Sequence, residues 1–286
     1  MALFDRIRDR VGSTSGDTPE QIAAAVDRDY TDHVLPVDPA GTLYGPIAQG
    51  LALAGPMAAP NEVRWNSLTD LGNWGHDRQA EYALTEDWGI STEEYWMEVL
   101  GALLDGRYGD SVAYHAAKVR TEAKRRRDLS VLDDAAWAQE LSAEAQRLEA
   151  PPEWAQALVE SIVDIRTAEN TLRRARLLAA DEEVEALDGY DLVRVGNVAK
   201  WGLAMGWGGP HVVRNVALAA RDSVLVNHSS WRSYALSVAA GRIVTYPDTF
   251  GRQVVQTIEW VRPFMDSAHS PWNNLPFPTE PVLGDD

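Results

Sequence analysis

The chain has 286 residues, 45% hydrophobic and 24% charged, which permits a sizeable core and argues against global disorder. Its 43 acidic and 26 basic residues leave a formal net charge of −17. Such a surface repels phosphate backbones and anionic membranes, and the lack of any cysteine excludes disulfides, thiolate zinc sites and a cysteine nucleophile.

From the start, Met1 to Arg10 mixes charge with Leu3, Phe4 and Ile7 and has no apolar run of the leader type, so the cytoplasm is the expected location. Thr18-Pro19-Glu20-Gln21 reads as a helix start, with a cap, a proline at the first position and an acceptor three residues on. Residues 40–60 carry no charge but are broken by prolines and glycines. The part 47–54, free of proline, is far short of the about 20 apolar residues that cross a bilayer, so a buried core helix is expected. Ser91-Thr92-Glu93-Glu94 reads as a second capping box, and Gly106 as the C-cap of its helix. Asp133 should cap a helix through Leu148 that Pro151-Pro152 stops. From Glu153, apolar residues Trp154, Leu158, Ile162, Ile165, Ala168, Leu172, Ala175 and Leu178 step by three or four, predicting one long helix reaching Ala186. Helices follow near 190–205, 211–226, 230–240 and 248–267, with a short strand conceivable at 242–246.

The expected class is all-α: one domain of roughly ten helices built from hairpins around the long central helix. Residues 1–44 read as an N-terminal helical segment, 45–278 as the helical domain, and 279–286 as a flexible tail. The segments 83–89 and 202–208 are weakly alike, each closing on Trp-Gly. The basic run 118–127 and the acidic run 181–185 read as solvated faces or as partners of one another.

The polar groups concentrate in the last third. Asp191, Arg194 and Trp201 share one helical stripe, with Asn197 beside it. A buried Asp191–Arg194 bridge pinning the helix is the first reading; an anion-recognising pair with Trp201 as a stacking wall is the second. Arg242 is expected to cap the Trp231 helix, and Trp272 to dock a C-terminal strap that could serve as a lid. His76-Asp77, with His33 upstream, superficially matches a helical phosphohydrolase metal set, but a two-residue motif carries too little; no metal and no cofactor are expected.

These residues resemble a family. Trp88-Gly89-Ile90-Ser91 with the helix ending at Asp105-Gly106 looks like the first half of the bacterial domain-of-unknown-function 1266 family (DUF1266). Asp191-x-x-Arg194, Lys200-Trp201-Gly202, Gly241-Arg242 and Ser270-Pro271-Trp272-Asn273 look like its second half. The resemblance covers about Gly45 to Phe277; the sequence departs from the pattern at Lys200 and at Ile243-Val244, and 119–187 is left unmatched. The resemblance implies a mostly helical intracellular protein and names no reaction. The residues point to a non-catalytic binding or regulatory protein, with an unknown protein partner possible, and to neither nucleic acid nor membrane. The alternative is a hydrolase in which Asp191 is the base and Arg194, Asn197 and Arg242 orient a polar or anionic substrate.

Overall fold

The computed structural model describes residues 17–108, 111–246 and 250–282. Helix α1 (Pro19–Asp27) starts as its capping box dictates, Thr18 and Gln21 exchanging side-chain-to-backbone hydrogen bonds. Helix α2 (Gly45–Ala58) is the uncharged stretch, buried over most of its length. After one-turn 3-10 segments come α3 (Gln79–Tyr82) and α4 (Glu93–Leu104). The N-cap of α4 is Thr92 rather than Ser91, its hydroxyl accepting from the Tyr95 amide at 3.2 Å. Helices α5 (Ser111–Arg127), α6 (Asp134–Arg147) and α7 (Pro152–Arg174) form one layer. Helices α8 (Gly189–Ala204), α9 (Pro210–Asn227), α10 (Trp231–Thr245), α11 (Phe250–Asp266) and the one-turn α12 (Pro271–Asn274) complete the chain. No strand occurs among the described residues.

Three expectations need correction. The long helix stops at Arg174, because Arg176 takes a left-handed φ of 55° and turns the chain. Leu177 and Leu178 stay buried after the turn, so apolar spacing outlives the helix. The possible strand at 242–246 is helical: α10 runs on to Thr245, burial on all sides overriding the β-branched pair Ile243-Val244. Arg242 therefore sits inside α10 and does not follow it. Residues 1–10, the expected helix start at Asp248 and tail residues 283–286 lie outside the described residues.

The helix buried on almost every face is α8, which packs against α2, α4, α9 and α10. Close approach requires small residues. A Cβ on Gly202 would meet the Trp96 ring at 2.3 Å, and one on Gly50 of α2 would meet the Ala217 carbonyl oxygen of α9 at 2.0 Å. Helix α11 lies over α10, α1 and α2, and α7 joins the layer of α5, α6 and α7 to α10. The described residues form a single domain.

Helix α2 is held by an unusual set of bonds. Pro56 has no amide to give the Ala52 carbonyl, and its ring displaces that carbonyl from the helix ladder. Trp272 Nε1 donates to Ala52 O at 3.1 Å. The next two carbonyls accept from Tyr234 Oη at 2.8 Å (Leu53) and from Asn197 Nδ2 at 3.1 Å (Ala54). Donors from α12, α10 and α8 thus converge on three consecutive carbonyls of α2.

Candidate functional site

Asp191 and Arg194 lie one turn apart on α8 and form an ion pair with exposures of 0% and 3%. Asp191 also accepts from the Tyr108 amide at 3.1 Å. Arg194 Nε donates to Tyr190 O at 3.1 Å. Its guanidinium lies 4.3 Å from the Tyr190 ring centre, 5.3 Å from Trp88 and 5.4 Å from Tyr108. Burial opposes the charge of Arg194, yet Asp191 beside it holds the pKa above the ordinary arginine range. The pair pins the turn that follows α4 and is shut away from solvent.

The other expected residues are also in the core. Asn197 bridges the Ala54 and Val193 carbonyls. Trp201 is buried edge-on against Trp74 and Trp88. Trp231 and Trp272 stack at 5.7 Å with 10° between planes, and Trp231 Nε1 donates to Leu275 O at 2.9 Å. Among the described residues Arg242 caps no helix end: it lies 3.9 Å from the Trp260 ring centre and donates to Gln256, joining α10 to α11. The C-terminal strap is packed onto α2 and α10 through Trp272. The site expected for a hydrolase therefore has its groups sealed among protein partners.

The basic run finds acidic partners inside the protein. Arg120, fully buried, donates to Glu169 at 2.7 Å, and Lys124 to Glu183 at 2.7 Å. Arg126 and Arg127 both reach Glu140.

An open cleft of about 340 Å³ lies elsewhere, where the turn after α4 meets α5, the start of α7 and the segment before α8. Asp105 and Arg107 pair on its rim. Helix α5 contributes Tyr114, His115 and Lys118, and α7 contributes Trp154. The His115 and Trp154 rings are 5.4 Å apart, and His115 Nε2 lies 3.2 Å from Glu144. Lys118 is exposed and makes no ion pair among the described residues. Tyr114 turns its hydroxyl inward, where burial raises its pKa well above the usual phenol value.

Asp188 closes the cleft. Asn227 Nδ2 donates to its Oδ2 at 2.7 Å. Its Oδ1 lies 3.5 Å from Nε2 of the buried His228, within ion-pair range but without hydrogen-bond geometry. Nδ1 of His228 is 3.1 Å from the Val224 carbonyl, which can only accept, so the ring proton belongs on Nδ1. Sequence reasoning missed this cleft. Its residues come from five separate stretches, 105–107, 114–118, Trp154, 186–188 and Asn227, spread over more than a hundred positions of the chain.

Among the described residues no group of three or more His, Asp or Glu could hold a metal ion, and no helix is long and apolar enough to cross a membrane. Fold and site together define an all-helical protein with a sealed ionic and aromatic centre and a small cleft of mixed charge. The chain belongs to the family described as protein of unknown function (DUF1266), whose model matches residues 83–277. No curated protein and no solved structure matches it.

Proposed function

We propose that the protein acts by binding rather than by catalysis, and that the cleft beside Asp188 receives a small polar molecule. The observation that supports this reading is the mixture of groups there. In a chain with a net charge of −17, the cleft brings Lys118 and Arg107 together with Asp105 and Asp188, beside the faces of Trp154 and His115. Opposite charges next to an aromatic wall suit a zwitterionic or amide-bearing ligand with a flat or apolar part. The polar cluster of α8, which a hydrolase would need in contact with substrate, is occupied by protein partners. A cytoplasmic location and the exclusion of nucleic acid belong to the same proposal, the latter supported by the acidic charge.

Thermal-shift and calorimetric titration with amino acids, nucleosides and sugars provide the test. A true ligand at about 100 times its Kd should stabilise the fold by about 2.7 kcal/mol. Trp154→Ala and Lys118→Ala should each weaken binding by about tenfold while melting near wild type. Turnover of the ligand, or full binding by both variants, would refute the proposal.

A further inference from the structure

Asp188 stands between two sets of partners. On the cleft side its Oδ2 accepts from Asn227, and Tyr114, His115 and Lys118 line the same space, with Asp105 and Arg107 on the rim. On the inner side its Oδ1 faces Nε2 of His228 at 3.5 Å. Both of these atoms are buried, and neither has a hydrogen-bond partner among the described residues. The His228 side chain is fully buried, whereas that of Asp188 keeps 14% of its surface exposed. One carboxylate thus touches both the interior and the cleft.

The backbone around His228 limits what its ring can do. His228 follows the last turn of α9 with an extended φ of −127°, and its amide donates to Val224 O at 3.1 Å. Nδ1 turns back to the same carbonyl at 3.1 Å. From α10, the Tyr234 ring meets the imidazole edge-on at 5.5 Å, but its hydroxyl is already given to Leu53 O. Burial, helped by the charge of Asp188, holds that phenol well above its usual pKa, so it stays neutral. Glu185 reaches only the hydroxyl of the next residue, Ser229. Two acceptors therefore flank one ring: Val224 O at Nδ1 and Asp188 Oδ1 at Nε2. A neutral imidazole has one N–H, so it satisfies one acceptor and sets its lone pair against the other. An imidazolium donates from both nitrogens.

We propose that Asp188 and His228 form a proton-binding site that regulates the cleft. A proton on Nε2 turns two opposed lone pairs into a charge-assisted hydrogen bond, and the carboxylate closes on the imidazolium. The two charges enter the core as a neutral pair, which limits the cost of burying them. Asp188 then has one oxygen on Asn227 and the other on His228, and its charge is withdrawn from the cleft. Lys118 and the Arg107–Asp105 pair remain there, a balance of positive sign. Proton and cationic ligand thus compete for Asp188, and each lowers the affinity of the other by the same factor. This consequence rests on the cleft being a binding site; the proton site itself does not.

Nitrogen-labelled histidine reports the ring state in long-range proton–nitrogen spectra of the full chain, recorded from about pH 8 to about pH 5, where imidazoles ordinarily titrate. His228→Gln assigns the signal by its loss; should that variant fail to fold, replacing the other histidines assigns it by exclusion. At the alkaline end Nδ1 should carry the proton and Nε2 none. At the acid end both should carry one, with the fold intact. Asp188→Asn should move that transition down by at least about one pH unit, because the opposite charge is gone. Asp105→Asn removes the same charge from the rim and should move it far less. Equal shifts in the two variants would reduce the effect to general surface charge and overturn the proposal. So would a ring that stays singly protonated at the acid end, since a water would then bridge the two acceptors. Phenethylamine, a flat ring bearing an ammonium, probes the cleft by calorimetry at both ends of the range. It should bind at least about fivefold more weakly at the acid end. In His228→Gln the difference should shrink to less than about twofold, the part that His115 on the cleft wall contributes by its own titration. A difference that survives in His228→Gln and vanishes in His115→Gln would place control at His115 and overturn regulation by the pair. Absence of amine binding at both ends would instead refute the ligand reading of the cleft, and the spectra alone would then decide the proton site.

Discussion

Asp191 directs one oxygen to Arg194 and the other to the Tyr108 amide, and neither side chain reaches water. Removing only the cation strands a buried carboxylate. Arg194→Ala should therefore cost about 3–5 kcal/mol, read as a fall in the urea midpoint. Asp191→Leu with Arg194→Met removes both charges at similar volume and should recover most of that loss. An Arg194→Ala protein that melts normally would count against a structural role for the pair. Asn197 and Trp201 are part of the same sealed shell. Their spacing on one helix was legible in the sequence; that they face protein rather than a ligand was not, because one helix does not say what packs against it.

The elements depend on where helices approach closely. A methyl group at Gly50 would run into the backbone of α9, which cannot move aside as a side chain could. Gly50→Ala should cost about 1–3 kcal/mol or more. Gly101, inside α4, has nothing within 4 Å of its would-be Cβ. Gly101→Ala should stabilise by about 0.5–1 kcal/mol, and denaturant titration of the two variants gives changes of opposite sign. Helix starts were the most legible elements, since Thr18, Asp133 and Ser230 carry their capping chemistry locally. Helix ends were less so. Nothing in the spacing of Ala175 and Leu178 reports the left-handed turn at Arg176, and Ile243-Val244 fits strand or helix equally until its surroundings are known. The cleft was illegible because Asp188, Trp154 and Asn227 meet only once α5, α7 and α9 are assembled.

For the whole molecule, stability against pH follows from buried groups of opposite tendency. Lys200 is 1% exposed and makes no ion pair among the described residues; burial lowers its pKa from 10.5 to about 8, against a weak pull from Asp70. Below about pH 8 both states carry the charge and the burial cost is fully present. Between about 8 and 10.5 the unfolded chain keeps a proton that the fold has released, so stability rises with pH. Burial has the reverse consequence for tyrosine, pushing Tyr108 up to about 12 and Tyr114 and Tyr234 well above 10. Past about pH 10 the unfolded chain loses phenolic protons that the fold retains, and stability falls. Lys200→Met should raise stability at pH 7 by about 3 kcal/mol and abolish the rising limb, as measured by urea midpoints from pH 7 to 11. Parallel pH profiles for the two proteins would contradict the assignment. At the same scale, the carbonyls of Ala52, Leu53 and Ala54 bear on where the protein ends as a unit of inheritance and where it ends as a unit of folding. The stretch by which the chain is recognised, residues 83–277, contains Asn197, Tyr234 and Trp272 but none of the three carbonyls that receive their protons. Cut at that boundary, it would lose the acceptors that fix Tyr234 and Trp272 and one of the two that fix Asn197, and the faces of α8, α9 and α11 that α2 covers would open to water. The signature of the family and the packed core are therefore different lengths of the same chain, for α1, α2 and α3 all lie before residue 83.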